Sequence, residues 1–305
     1  MEFFGGVLLK TPGRDYTSRR RAIQHVDETP GMVATTRIPR YACGSFFGVR
    51  SQHIIMDATK ELTGKVALVT GAAKNLGRAI ALELAAAGAR VAINTRASRA
   101  EADAVAQEIR AAGGTASVFL ADIADAAAVQ GMHAAVAAEL GAVDILVLNA
   151  SVRREIPFME MSFDEWRQVM GISLDGSFHC IQAVLPGMLK AGHGDVITLG
   201  GDTALNGAVG KVHSSAGKSG LAGMTRALAR EFGPQGIRFN CVSPGHFNTV
   251  RVGKRAERPA ATGHIPLNRY GEPNEIAATV RFLCSPGAGF ITGQTIHVNG
   301  GQWMF

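Results

Sequence analysis

Short apolar runs alternate with longer segments of helical periodicity along most of the chain. Each run has the length and composition of a buried strand. The predicted strands are Val66–Val69, Val91–Asn94, Ala116–Leu120, Val143–Leu148, Asp195–Leu199, Ile237–Val242 and Thr295–Val298. The predicted helices are the segment that Gly77 opens, Glu101–Ala112, Val129–Leu140, Phe163–Leu189, Ser214–Phe232 and Glu275–Leu283. Because crossover helices cover both faces of a parallel sheet, this order predicts a three-layer α/β/α domain.

The first strand leads into a glycine turn and then a helix, in the stretch VALVTGAAKNLGRAIA. Gly71 closes the turn, and Gly77 begins the helix. Asn75 stands where a further glycine is usual, and asparagine is the non-glycine residue that best tolerates a positive φ. Such a turn directs backbone N–H groups and a positive helix end at one point, which is how phosphate is bound. The stretch predicts a Rossmann-type, doubly wound sheet with ligands at the carboxyl ends of its strands.

Composition narrows the function classes. The chain has 305 residues, of which 47% are hydrophobic, and no apolar run reaches membrane-spanning length. The net charge is +6, but residues 1–55 hold eight Lys/Arg and four Asp/Glu, which is +4 of that total. The positive and negative charges of residues 56–305 are therefore nearly equal in number. We therefore expect neither a nucleic-acid nor a membrane partner. The four cysteines are Cys43, Cys180, Cys241 and Cys284. None of them forms a CxxC pair, which argues against a metal site or disulfides and for a reducing, cytoplasmic location.

Residues 1–55 differ from the domain predicted for residues 56–305. They hold an Arg19–Arg21 run, several Gly and Pro residues and no sustained periodicity, which indicates a poorly ordered extension. Two explanations stay open. Arginine enrichment is typical of a targeting peptide, although Glu2 and Asp15 do not suit one. Alternatively, the start lies too early and Met56 is the first residue.

Several motifs then occur in a recognisable order: TGAAKNLG at Thr70–Gly77, Asp122, Asn149–Ala150–Ser151, Lys218, Ser243–Pro244–Gly245 with Thr249, and GQTIHVNGG at Gly293–Gly301. Their spacing resembles that of the classical short-chain dehydrogenase/reductase family over roughly residues 57–305. The resemblance implies a nicotinamide cofactor, hydride transfer, and a homotetramer or homodimer.

Charge predicts which nicotinamide cofactor binds. An acid at the end of the second strand would bind the 2′-hydroxyl of NAD and repel a 2′-phosphate. The strand instead ends Asn94–Thr95–Arg96, and Lys74 lies in the glycine turn, so we expect NADP(H) rather than NAD(H). The alternative is that Arg96 is a solvated surface charge.

The resemblance also implies roles for individual cofactor-binding residues. Asp122 and Ile123 would flank the adenine, Asn149 and Ala150 would line the ribose, and Pro244 to Thr249 would hold the carboxamide. The expected cofactor-binding set is Gly71, Lys74, Asn75, Leu76, Gly77, Arg96, Asp122, Ile123, Asn149, Ala150, Lys218, Pro244, Gly245, Phe247 and Thr249.

The predicted active site departs from the family pattern. Aligned on Lys218, the family's tyrosine position holds Ser214, its strand-end serine position holds Gly201, and its helical asparagine position holds Ser173. The chain's tyrosines are Tyr16, Tyr41 and Tyr270, and no shift of alignment brings one to position 214.

A serine hydroxyl is a far weaker acid than a lysine-activated phenol, so Ser214 can donate a hydrogen bond but is a poor acid/base. His213 is adjacent and carries an imidazole, a side chain suited to acid/base catalysis, and Asp202 could orient it. We therefore take Lys218, Ser214, His213 and Asp202 as candidate catalytic residues. The alternative is that His213 points into a subunit interface and that Asp202 caps a turn.

The sequence leaves the reaction and the substrate partly open. We expect an NADP(H)-dependent oxidoreductase with a non-standard acid/base group. The alternatives are a catalytically silent cofactor-binding subunit and a non-redox, lyase-type enzyme on the same fold.

Two segments should border the substrate pocket: Arg153–Met161 and Val250–Leu267. Their cations favour an anionic substrate, such as a carboxylate or a carrier thioester, although a solvated basic rim would look the same. These cations are Arg153, Arg154, Arg251, Lys254, Arg255 and Arg258. The apolar end Trp303–Phe305 should pack on a neighbouring subunit.

Overall fold

The computed structural model describes residues 60–250 and 263–304. Several predictions lie outside these residues: the extension at 1–55 with its tyrosines and Cys43, the proposed start at Met56, the four cations between 251 and 258, and Phe305. Among the described residues, no helix is long and apolar enough to cross a membrane.

Seven strands form one parallel sheet in the order β3-β2-β1-β4-β5-β6-β7. The strands are β1 (Val66–Val69), β2 (Arg90–Thr95), β3 (Thr115–Leu120), β4 (Ile145–Leu148), β5 (Gly194–Leu199), β6 (Ile237–Pro244) and β7 (Thr295–Val298). Every predicted strand is confirmed, with β1 and β7 at the predicted bounds. The chain order reverses direction beside β1, so β1 and β4 flank the crevice in which such sheets bind ligands.

Helices cover both faces of this sheet, as predicted. They are α1 (Asn75–Ala86), α2 (Arg99–Ala111), α3 (Ala126–Glu139), α4 (Phe163–Met170), α5 (Gly176–Ala191), α6 (Thr203–Asn206), α7 (Val212–Phe232) and α8 (Pro273–Cys284). Successive residues of β1 enter different cores, since Ala67 and Val69 pack with α1, α2 and α8, whereas Val66 and Leu68 pack on the face of α3 and α5.

The helix predicted over Phe163–Leu189 is interrupted. A π-helical turn, Gly171–Asp175, joins α4 to α5. The amino end of α4 carries a capping box in which the side chain of Ser162 accepts from the backbone N–H of Glu165, and the Glu165 carboxylate accepts from the N–H of Ser162. Such π turns are frequent at functional sites, and this one places Ser173 against α7.

Candidate functional site

The glycine turn after β1 adopts a left-handed backbone conformation at two positions. Gly71 has φ +63° and Asn75 has φ +52°, so the predicted tolerance of asparagine for positive φ is confirmed. A Cβ built on Gly77 would lie 2.3 Å from the Gly71 carbonyl oxygen and 2.4 Å from Asn149 Nδ2. Only glycine therefore fits position 77 at this close approach of backbone and side chain.

The Asn149 side chain braces the turn. Its Nδ2 donates to the carbonyl oxygens of Thr70 at 2.9 Å and Gly71 at 3.0 Å. In return, the Thr70 hydroxyl accepts from the backbone N–H groups of Asn149 at 3.0 Å and Ala150 at 3.1 Å. The amide predicted to line a ribose therefore supports the turn itself, a role that sequence reasoning did not assign.

The amino end of α1 is suited to an anion. Lys74 at the N-cap position makes no side-chain hydrogen bond to the helix, and the first turn of α1 contains no acidic residue. Unsatisfied N–H groups and the helix dipole therefore remain available to a pyrophosphate, and Leu76 and Gly77 are buried beneath this position.

The two cations predicted to contact a 2′-phosphate both lie in exposed ion pairs. Lys74 Nζ is 2.7 Å from Glu101 Oε1, and Arg96 Nη1 is 3.5 Å from Asp122 Oδ2. Exposed pairs of this kind contribute little, so a phosphate dianion can displace them. The side chain of Asn94 is buried and donates to the Phe119 and Ala121 carbonyls, so it does not act at the cofactor site.

The residues expected beside the adenine differ in exposure. The Asp122 carboxylate accepts from the N–H of Ala124 at 3.0 Å and remains accessible beside Arg96. Ile123 is only 4% exposed and packs against Gly176, so most of its side chain belongs to the core. Its contact with an adenine stays a prediction.

The loop after β6 closes the opposite side of the crevice. The N–H of Gly245 donates to the Val298 carbonyl, and Phe247 is buried against Gly271. Thr249 is also buried, and its hydroxyl accepts from Arg153 Nη1 at 3.3 Å. The segment that follows Pro244 is thereby joined to the segment after β4.

Asn75 connects this loop to the glycine turn. Its Oδ1 accepts from the N–H of Val250 at 2.8 Å, and its Nδ2 donates to the carbonyl of the same residue at 3.3 Å. Sequence reasoning assigned Asn75 only to the turn, because a contact across 175 positions leaves no local signal.

Lys218 lies on α7 where the helix crosses the carboxyl end of β5. Its ammonium donates to the Leu199 carbonyl at 2.5 Å. Burial lowers the pKa of Lys218 from 10.5 to about 8; the nearby Cys241 thiol opposes this shift, and the Arg153 cation adds to it. A cavity of about 200 Å3 adjoins this lysine and is lined by α7, by Gly200 and Gly201, and by the ends of β6 and β7.

Three positions lack the family's catalytic residues: 201, 173 and 214. They lie on or around α7, the helix that carries Lys218. Gly201 has open space beside its Cα, with only the Thr203 hydroxyl within 4 Å of a built Cβ. Ser173 is buried in the π turn and faces Gly217 of α7. The hydroxyl of Ser214 makes no hydrogen bond within the described part of the chain, and its N–H donates to the ring of His213.

The predicted His213–Asp202 pair does not form. His213 is fully buried, its Nδ1 accepts from the N–H of Ser214 at 2.9 Å, and its Nε2 has no partner among the described residues. Asp202 Oδ1 instead accepts from the Ser243 hydroxyl at 3.1 Å and lies 3.5 Å from Nδ1 of His297. The reason is strand register, since Ser243 and His297 are paired on β6 and β7 and Asp202 follows the neighbouring β5.

Of the six cations predicted to form the rim, the structure describes Arg153 and Arg154. Arg154 lies 3.7 Å from Glu165. Arg153 donates to Thr249, and its charge acts on Lys218. Within the described residues, no group of three or more His, Cys, Asp or Glu side chains is arranged to hold a metal ion.

Sequence reasoning missed one cluster beside the loop after β6. The His246 ring packs against the rings of His264 and Tyr270. The signal was available, since His246 directly follows Pro244–Gly245, but the partners lie in a segment without periodicity.

Comparison with known proteins places the chain among reductases and dehydrogenases. A family described as "Enoyl-(Acyl carrier protein) reductase" matches residues 71–302. The 3-oxoacyl-[acyl-carrier-protein] reductase FabG of Pseudomonas aeruginosa is 41% identical over 245 residues, which cover 80% of this chain and 99% of the relative. The FabG of Escherichia coli is 39% identical over 243 residues, which cover 79% of this chain and 98% of the relative.

Two solved structures share the fold. A short-chain dehydrogenase/reductase, glucose/ribitol dehydrogenase, from Brucella melitensis has a TM-score of 0.75 and 34% identity, covering 81% of this chain and 100% of its own. A blue fluorescent protein from a metagenomic library, solved in complex with NADPH, has a TM-score of 0.75 and 37% identity. The match covers 80% of this chain and 100% of that protein.

Proposed function

Because the chain belongs to the short-chain dehydrogenase/reductase family, we propose that it is an NADP(H)-dependent oxidoreductase that interconverts a carbonyl and an alcohol on a small substrate. The observation that carries the proposal is the uncapped amino end of α1, which adjoins Lys74 and lies on the same edge as Arg96, with no acid at the end of β2. Those residues fit a dinucleotide with a 2′-phosphate.

Each part of the crevice would bind one part of the cofactor or of the substrate. The amino end of α1 would bind the pyrophosphate, and Lys74 and Arg96 would contact the 2′-phosphate. The loop from Pro244 to Thr249 would hold the carboxamide. NADPH, when bound, supplies the hydride. Lys218 would place a positive potential beside the substrate oxygen and so stabilise the negative charge that develops there.

The substrate and assembly are proposed from the remaining surface. Arg153 contacts Thr249 in the loop after β6, and its charge acts on Lys218, so a substrate with a carboxylate or another anionic group would be favoured. We propose a homodimer or homotetramer, since Phe282, Phe290, Trp303 and Met304 are exposed. The free cysteines of the described chain fit a cytoplasmic location.

Exchanging Arg96 for aspartate tests the cofactor assignment. The unaltered protein should bind NADPH more tightly than NADH. Arg96→Asp should invert this preference, with a change in the affinity ratio of about 100-fold, because one cation is lost and an acid that repels phosphate is gained. Fluorescence titration with both cofactors measures it, and Arg110→Asp, the same charge change at the far end of α2, is the control. Equal affinities in the unaltered protein would contradict the assignment.

Exchanging Asn75 for glycine tests the contact with Val250. NADPH should dissociate about tenfold faster, because two hydrogen bonds across the crevice are lost. The melting temperature should not fall, since glycine adopts a positive φ without strain. Stopped-flow fluorescence gives the dissociation rate. Asn75→Ala should show the same fast dissociation together with a lower melting temperature. A fast rate in the alanine variant alone would assign the effect to turn strain.

A further inference from the structure

Asp202 is the most deeply buried acidic residue in the described part of the chain, with 6% of its surface exposed. Its Oδ2 atom is buried and makes no hydrogen bond to any described residue. Burying a carboxylic group in this way is unfavourable unless its remaining contacts compensate. The contacts of the other oxygen, Oδ1, and of the Asp202 backbone therefore indicate why this side chain is placed here.

The Oδ1 atom of Asp202 joins the ends of three neighbouring strands. Asp202 follows β5, and its Oδ1 accepts from the Ser243 hydroxyl of β6 at 3.1 Å. The same atom lies 3.5 Å from Nδ1 of His297 on β7. Ser243 is 2% exposed, so its hydroxyl cannot turn to water if the carboxylate is removed. The carboxylate thus connects the strands close to the point where the loop after β6 begins.

Asp202 also contacts the beginning of the loop from Pro244 to Thr249. Its N–H donates to the Pro244 carbonyl at 3.3 Å. A Cβ built on Gly245 would lie 3.1 Å from Asp202 Oδ2 and 2.6 Å from the Cβ of Asn299, so a side chain at position 245 would not fit. The first two residues of the loop are therefore held against Asp202 on one side and against the chain after β7 on the other.

The partners of Asp202 also border the cavity beside Lys218. Ser243 and His297 both line this cavity of about 200 Å3, together with Gly201, which precedes Asp202. The same group of contacts therefore borders both the cavity of Lys218 and the loop proposed to hold the carboxamide. Removal of the carboxylate should alter the position of that loop relative to the lysine.

We propose that Asp202 is a positioning residue for the nicotinamide half of NADP(H). Its hydrogen bond with Ser243 and its contact with Gly245 hold the loop from Pro244 to Thr249 in place. The inference rests on the proposed oxidoreductase function, in which that loop holds the carboxamide. Asp202 is not a catalytic residue in this scheme, since its unpaired oxygen is buried and it acts through the loop.

The other half of the cofactor should not depend on Asp202. The pyrophosphate is proposed to bind at the amino end of α1, and the 2′-phosphate at Lys74 and Arg96. These two cations form ion pairs with Glu101 and Asp122, and neither pair involves Asp202. Loss of the carboxylate should therefore weaken a ligand that carries the nicotinamide and spare one that lacks it.

The test compares NADPH with 2′-phospho-ADP-ribose, which lacks the nicotinamide, by isothermal titration calorimetry of the full chain. Asp202→Ala should weaken NADPH binding about tenfold and change the affinity for 2′-phospho-ADP-ribose less than about twofold. Asp202→Asn keeps an oxygen that accepts from Ser243, so it should retain NADPH affinity within about threefold. Ser243→Ala removes the same hydrogen bond from the other side and should reproduce the selective loss, which tests the proposal even if Asp202→Ala does not fold.

Asp195→Ala is the matched control, because Asp195 is a largely buried acid at the opposite end of β5 and pairs with Arg238 at 2.7 Å. This variant should have a lower melting temperature, since the Arg238 guanidinium loses its partner. Its affinities for NADPH and for 2′-phospho-ADP-ribose should both match those of the unaltered protein.

Three results would overturn the proposal while leaving the cofactor assignment intact. The first is an equal loss of affinity for both ligands in Asp202→Ala and Ser243→Ala, and the second is unchanged NADPH affinity in these two variants. The third is a loss in Asp202→Asn as large as that in Asp202→Ala, which would assign the effect to charge. If the unaltered protein bound neither ligand, the proposal and the proposed function would both fail.

Discussion

Replacing Lys218 with alanine is expected to reduce kcat/KM about 1000-fold, because the cation proposed to stabilise the developing charge on the substrate oxygen is removed. The ammonium donates to the Leu199 carbonyl at the end of β5, which fixes the position of the charge. Steady-state kinetics with NADPH measures the loss. Lys190→Ala, at the exposed end of α5, is the matched control. A Lys218→Ala variant with near-normal turnover would contradict the role given to this lysine.

The pH dependence has a defined sign. Burial holds the pKa of Lys218 at about 8, below its ordinary 10.5, so the folded protein loses this proton first as pH rises. Activity that needs the cation should therefore decline above about pH 8.

Between pH 8 and 10.5 the unfolded chain binds more protons, so the free energy of unfolding gains a contribution that rises with pH. Lys218→Ala should lack that contribution, which urea unfolding at several pH values would show.

Most of the fold follows from local sequence signals. β1 and β7 begin and end at the predicted residues, because each is a short segment between turn signals; the four residues of β1 are buried, and those of β7 are half-buried. Asn75 was correctly predicted to replace a glycine, since tolerance of positive φ is a property of the residue itself. The π turn at Gly171–Asp175 was not predicted, because one added residue per turn hardly disturbs the helical pattern.

Local sequence signals can predict only those site residues that act through one segment. The cofactor-binding set stays a prediction; its residues follow strand ends, whose common edge follows from parallel topology. The His213–Asp202 pair was wrong because side-chain direction on α7 and the β6–β7 register decide partners, and neither is visible along the chain. The contacts of His297 with Asp202 and of His246 with His264 are tertiary contacts, so no local sequence pattern predicts them.

The substitution Gly77→Ala should have the largest effect on cofactor binding, since it adds a single methyl group where none fits. That carbon would lie 2.3 Å from the Gly71 carbonyl oxygen and 2.4 Å from the Asn149 amide, so the turn and its brace must both move. We expect NADPH affinity to fall by about 100-fold or more, because the N–H groups proposed to bind the pyrophosphate are displaced. Overpacking should also lower the free energy of unfolding by about 3 kcal/mol.

Gly131→Ala provides the matched control, because Gly131 lies inside α3 and a Cβ there would meet nothing within 4 Å. This second exchange should raise stability by about 1 kcal/mol, the ordinary gain of alanine over glycine in a helix, and leave NADPH affinity unchanged. Urea unfolding and NADPH fluorescence titration of both variants measure the two effects. If Gly77→Ala kept normal stability and affinity, the close approach of β1, α1 and Asn149 would not be the basis of the cofactor site. If it lost stability alone, the turn would be a structural feature that does not bind the pyrophosphate.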